Sequence, residues 1–210
     1  MAFWSRRRRR ARARVSRLRR FLRWSWLLLL LLVVADAVYL ASIWPDWGAY
    51  RHGPIQRSQF IRDYERERRQ RSDWPQLRWR PVAIDRIPKH LVRAVIVAED
   101  SRFFEHEGVD LEALKEAMEY NLSQQRLAYG ASTLSQQTVK NLFLSPSRNP
   151  LRKWHELVLT LAMERSLSKR RILEYYLNVA EFGRGIYGVD AAARFYWNVR
   201  VARIPARAST

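Results

Sequence analysis

The chain has 210 residues, a hydrophobic fraction of 48% and a formal net charge of +19. That is room for one packed domain with appendages. With no cysteine, disulfides and thiolate chemistry are excluded. Eleven arginines precede Trp24 with no acid among them, which leaves +8 for the rest of the chain. A basic tail of this kind can bind nucleic acid, but the segment that follows it argues for another use.

Residues 1–23 form the basic tail. Residues 24–44 then read as one transmembrane helix, with an unbroken run from Leu27 to Leu32 and Trp24, Trp26, Trp44 and Trp47 at its ends. Such a helix is about 31 Å long, enough for a bilayer core, and interfacial tryptophans belong at its ends. Asp36 within it costs about 2.5–3.5 kcal/mol on insertion scales, which the leucine run can absorb. The apolar run is too long, and lacks a clean small-x-small site, for a cleaved signal peptide. The arginines predict a cytoplasmic N-terminus and an extracytoplasmic remainder. They suit orientation and anionic headgroups, so nucleic acid is not expected as a partner.

Residues 45–80 read as a polar juxtamembrane linker. It holds one charged helix, Ile55 to Arg71, and an extended segment marked by Trp74, Pro75, Trp79 and Pro81. From residue 81 to 198 helix signals dominate. Pro88 opens a helix that reaches Glu99. Asp110 to Arg126 is amphipathic through Leu111, Leu114, Met118 and Leu122, and Tyr129-Gly130-Ala131 is a turn. Thr133 and Gln136 form a capping box opening Leu134 to Phe143. Asn149-Pro150 opens a helix to Leu167, with Trp154, Leu157, Val158 and Leu161 as its buried face and Arg152, Glu156 and Thr160 outward. Ser168 caps another helix to Asn178, and a glycine loop (Gly183, Gly185, Gly188) precedes a last helix, Val189 to Trp197. The loop spells a dinucleotide fingerprint, but a helix precedes it rather than a strand. Strand-like alternation is scarce, so the fold class is mainly α. Residues 199–210 read as an atypical basic tail without apolar period, as if the C-terminal end were truncated.

Two clusters carry chemistry. Glu99 and Asp100 end an apolar helix, where the dipole favours cations. Glu99 is therefore expected to hold its proton more tightly than a free glutamate, which suits a general base. The alternative is a helix end with solvated acids. Arg152 and Lys153 lie in a first helical turn, where cations are unfavourable, with Glu156 one turn on. A bound phosphate would justify them; the alternative is an exposed charged helix end. Lys140 and Arg148 extend the cationic patch. Paired carboxylates suggest glycosyl chemistry, and the cations a phosphorylated leaving group.

The successive motifs Glu99-Asp100-x-x-Phe103-x-x-His106-x-Gly108, Gly130-Ala-Ser132-Thr133-Leu-Ser-Gln136-Gln137-Thr-Val-Lys140-Asn141, Arg152-Lys153-x-x-Glu156 and Arg171-Ile-Leu-Glu174-x-Tyr176-Leu-Asn178 resemble those of the peptidoglycan glycosyltransferases, of the monofunctional type. The resemblance covers about Pro81 to Trp197. It implies a lysozyme-like α-helical glycosyltransferase domain beside the bacterial inner membrane, acting in cell-wall biogenesis and cell shape. The implied partners are lipid II, the growing glycan chain, the membrane and other cell-wall synthesis or division proteins. Carried over, Glu99 is the base on the acceptor hydroxyl. Glu156, Lys140, Arg148, Arg152 and Lys153 hold the pyrophosphate, directly or through a divalent cation (Mg or Mn) whose ligands the sequence does not name. Asp100, Phe103, His106, Ser132, Thr133, Gln136, Gln137 and Asn141 line the donor cleft. Two other readings stay open: a muramidase-like hydrolase of finished glycan, and an inactive membrane-anchored scaffold.

Overall fold

The computed structural model describes residues 2–124, 130, 132–146 and 149–206, with side chains from Arg19 onward. It has two compact units, Met1–Pro45 and Asp46–Thr210. The first is helix α1 (Ala2–Ser42). An 18-residue window of mean hydropathy 2.4, none of it buried, makes this stretch long and apolar enough to cross a membrane. Ser42 Oγ donates to the Tyr39 carbonyl at 2.7 Å in the last turn, and Pro45 follows, where it cannot continue a helix.

The second unit opens with α2 (Trp47–His52), capped by the Asp46 carboxylate, which accepts from the Gly48 and Ala49 amides. Helix α3 (Gln59–Gln70) starts four residues later than the sequence reading, because the Ser58 hydroxyl supplies the cap by accepting the Ile61 N–H at 3.1 Å. Its charged residues are exposed or half-buried. Ile61 and Tyr64, three apart, bury one side of the helix against Tyr187, with Trp74, Leu77 and Trp79 packed around them. The stretch read as a linker thus carries a folded face.

The helices that follow are α4 (Lys89–Glu99), α5 (Leu111–Ser123), α6 (Leu134–Phe143), α7 (Pro150–Ser166), α8 (Lys169–Val179) and α9 (Val189–Trp197). Local chemistry sets most of their starts. Asp110, Asn149 and Ser168 cap α5, α7 and α8, and Thr133 and Gln136 make the full capping box of α6. Helix α6 packs on α7, α8 and α3. Its Leu134, Val139 and Leu142 are fully buried, as are Leu159 and Met163 of α7 and Ile172 and Leu177 of α8.

The glycine-rich stretch read as a loop is a hairpin of β2 (Glu181–Gly183) and β3 (Ile186–Tyr187). With β1 (Arg78–Trp79) parallel to β3, it completes a sheet of order β1-β3-β2. Gly185 turns it at φ +75°, where a Cβ would lie 2.5 Å from the Tyr64 hydroxyl. Residues 79–84 are strapped to α8. Asn178 donates from Nδ2 to the Val82 carbonyl and accepts the Val82 N–H at 2.7 Å, its own carbonyl accepts Trp79 Nε1, and Glu174 accepts the Ile84 N–H.

Three sequence expectations about faces are revised. On α7, Glu156, Thr160, Leu159 and Met163 are buried, while Trp154 and Leu161 are exposed. The polar residues can turn inward because each finds a partner: Arg152 and Lys153 for Glu156, and the Glu156 carbonyl for Thr160 Oγ1 at 2.7 Å. On α5, Leu111, Leu114, Met118 and Leu122 are exposed, and only Ala117 of that helix is buried. The segment after Asn198 turns back on α9: Val201 and Ile204 are buried, and the Val201 N–H donates to Asp190 Oδ1 at 2.9 Å.

Candidate active site

Glu99 is the last residue of α4 and is exposed. The side-chain amide of Gln137, one turn into α6, donates to Glu99 Oε2 at 3.0 Å and to the Ser132 carbonyl at 3.4 Å. Ser132 Oγ lies 3.4 Å from Lys153 Nζ, and that ammonium donates to Glu156 Oε1. The two carboxylates singled out by the sequence therefore end one continuous polar chain, Glu99–Gln137–Ser132–Lys153–Glu156. Tyr176 lies close enough to register Glu99. Burial, with the negative charge of Glu99 adding to it, holds the Tyr176 phenol well above the ordinary tyrosine range.

The neighbouring carboxylate does different work. Asp100 is buried and caps α4. Its Oδ2 accepts the Leu134 N–H at 2.9 Å, so the charge that opposes the dipole of α4 favours that of α6. Both its oxygens lie 3.0–3.1 Å from His106 Nε2, and His106 Nδ1 accepts the Gly108 N–H at 3.1 Å. A ring nitrogen that accepts carries no proton, so the neutral imidazole has its hydrogen on Nε2, donating to Asp100. Gly108 closes this loop at φ +96°, with its carbonyl accepting Thr133 Oγ1 at 2.7 Å.

Beneath the loop lies a network that the sequence reading missed. Arg102 holds Asp110 through two guanidinium nitrogens, at 2.6 and 3.0 Å. Burial alone would raise the Asp110 carboxyl, but the Ala113 amide and Arg102 outweigh it and hold it below the usual range. Glu164 takes the Ser135 hydroxyl and the Lys169 ammonium, and Lys169 also reaches the His106 carbonyl and sits 4.6 Å above the Phe103 ring. Partners 29 residues apart, as Ser135 and Glu164 are, leave no local sequence signal.

The remaining expected site residues separate into two sets. Ser132 and Thr133 join Glu99 and Asp100 in a groove of about 280 Å³, one bank of which is α5 through Ala113 and Glu116. Gln137 reaches into the same polar chain. Phe103 is fully buried and presents nothing to the groove, and Thr133 and Gln136 spend their side chains on the cap of α6. Lys140 and Asn141 follow Gln137 at three and four residues, on the same side of α6. Arg148 lies outside the described residues.

Glu156 is 2% exposed, with Arg152 Nη1 at 2.7 Å from one oxygen and Lys153 at the other. Two cations around one carboxylate leave the first turn of α7 with a surplus positive charge, carried by a half-exposed Lys153. A surplus positive charge at a helix N-terminus is an arrangement that can receive an anion. It does not fit a resident divalent cation, since an ion bound by Glu156 would displace an ammonium or a guanidinium. Among the described residues the one triad with metal-ligand spacing is Asp100, His106 and Asp110. Its oxygens serve the Leu134 amide and Arg102 instead.

The sequence profile of the Transglycosylase family matches residues 67–209. The chain is 40% identical over 184 residues to a biosynthetic peptidoglycan transglycosylase of Nitrosospira multiformis, covering 88% of this chain and 80% of the relative. It is 41% identical over 198 residues to that of Bordetella avium, covering 92% and 82%. With that of Aromatoleum aromaticum identity is 51% over 135 residues, 64% of this chain and 59% of the relative. The chain thus spans from under two thirds to about four fifths of the length of these curated relatives.

Proposed function

The chain belongs to the transglycosylase family, and we propose that it polymerises lipid II into peptidoglycan glycan strands. The polar chain from an exposed Glu99 to the cation-flanked Glu156 is the observation that carries this reading. A base at one end and an anion site at the other suit a sugar whose leaving group is a pyrophosphate.

Glu99 takes the proton of the acceptor sugar's 4-hydroxyl. The freed oxygen attacks the anomeric carbon of the growing chain from the side opposite the pyrophosphate. A β-1,4 bond forms, the bond from C1 to the pyrophosphate oxygen breaks, and undecaprenyl pyrophosphate departs with the electron pair. Lys153 and Arg152 meet the charge it gains, with Lys140 on the α6 side. Glu156 is a positioning residue that holds both cations at the mouth of α7. Asp100 and His106 fix the loop that presents Glu99. No step needs a protein-held metal. The exposed leucines of α5 flank the groove bank and give the substrate's lipid an apolar surface.

Helix α1 anchors the enzyme. The arginines ahead of its apolar stretch favour an N-terminus in the cytoplasm and a catalytic unit outside the inner membrane. Other cell-wall synthesis or division proteins are its proposed neighbours.

The test is chain growth on lipid II by the full-length protein in detergent. Glu99→Gln should lose about 10²–10⁴-fold in rate with unchanged thermal stability. Wild-type polymerisation by that variant refutes the base assignment. Release of sugar from finished glycan by the wild type, without polymerisation, favours a hydrolase.

A further inference from the structure

Away from Glu99, a groove of about 580 Å³ runs between the turn before α4, helix α9 and the segment after it. It is lined by Arg86, Arg194 and Arg200 and by the apolar walls of Val82, Pro88 and Val201. It shares no lining residue with the Glu99 groove. Its two carboxylates are committed elsewhere. Asp190 takes Arg194 Nε at 2.8 Å on one oxygen and the Val201 N–H on the other, and Asp85 pairs with Arg170. Among the described residues, the side chains of Arg86 and Arg200 have no hydrogen-bond or ion-pair partner. The groove therefore presents unspent guanidinium donors beside apolar surface.

We infer that this groove binds a short acidic segment of a partner protein, its carboxylates on Arg86 and Arg200 and its aliphatic side chains on the apolar wall. Guanidinium forks match carboxylates in charge and geometry. The volume falls within the about 300–1,000 Å³ of pockets that enclose a drug-sized ligand, so a lone inorganic anion would leave the apolar wall wet. A second copy of this chain is a poor occupant, because it brings a like charge of +19.

The test is fluorescence anisotropy of the full-length protein in detergent with a labelled hexapeptide alternating Glu with Val or Ala. The arginine tail attracts any acidic probe, so two variants of equal net charge are compared. Arg86→Gln/Arg200→Gln should weaken binding by at least about tenfold, the equivalent of about 1.4 kcal/mol, and Arg6→Gln/Arg7→Gln should leave it unchanged. Both variants should melt like wild type and polymerise normally, which separates failure here from failure of the Glu99 assignment. A photoreactive version of the peptide should mark residues 82–88 and 200–202. Equal weakening by both variants, equal binding of the Gln-for-Glu peptide, displacement by equimolar inorganic phosphate at matched ionic strength, or cross-links elsewhere would each overturn the inference.

Discussion

Replacing Gly108 with Ala should uncouple the site loop from α7. At φ +96° an L-residue is strained, by about 1–3 kcal/mol. The new Cβ would sit 2.8 Å from Thr160 Cγ2 and 3.1 Å from Glu164 Cγ. Thr160 is fully buried within a helix, so the methyl group cannot swing away, and overpacking of this kind costs about 1–3 kcal/mol. The sum is about 2–6 kcal/mol, or a Tm lower by roughly 5–20 °C for a domain of this size. Thermal unfolding of the full chain in detergent, followed by tryptophan fluorescence, measures it. Thr160→Ser removes the clashing methyl and keeps the hydroxyl that donates to the Glu156 carbonyl. The double variant should therefore recover the overpacking part and retain the backbone part, a coupling of about 1 kcal/mol or more. Strict additivity, or a Gly108→Ala change within about 0.5 kcal/mol of wild type, would refute the reasoning.

Asp110 should make stability acid-sensitive. Its folded pKa lies below the ordinary 3.8, so its contribution is complete above that value and fades as the pH falls through the folded one. The stability gap between wild type and Asp110→Asn should be full near about pH 6 and should close below 3.8; a gap that widens on acidification contradicts this. Asn178→Ala removes the bonds to both backbone groups of Val82 and to the Glu174 carbonyl from a fully buried position. It should cost about 2–4 kcal/mol in a urea melt and open residues 80–86 to limited proteolysis, whereas unchanged protease resistance would show that the strap is held by other contacts.

What could be read in the sequence was what is local. The capping box at Thr133 and Gln136 fixed the start of α6 because both partners lie within one turn, and the end of α4 at Glu99 follows from an unbroken apolar run into two acids. The faces of α7 could not be read, since its sequence is apolar on more than one side. Glu156 and Thr160 turn inward only because cations and a carbonyl wait there. The exposed leucines of α5 defeat the assumption that an amphipathic stripe seeks the core. Two- and three-residue strands are too short to show alternation, so the sheet left no trace. At the site, Glu99 and Glu156 were legible as residues, but the link between them runs through Gln137, 38 positions from Glu99. The division of labour between an exposed Glu99 and a buried Asp100 depends on contacts 34 positions away in the chain.

The fastening of residues 46–84 to α7 and α8 has a mechanical consequence. Arg51 grips the Ser166 carbonyl at 2.7 Å, Arg171 holds the carbonyls of Tyr50 and Gly53, and Glu174 and Asn178 hold Ile84 and Val82. All of these moorings precede α4 in the chain. A tug transmitted from the N-terminal end of the polypeptide is shared among the body's own helices before it reaches α4, so the position of Glu99 at its end need not be disturbed.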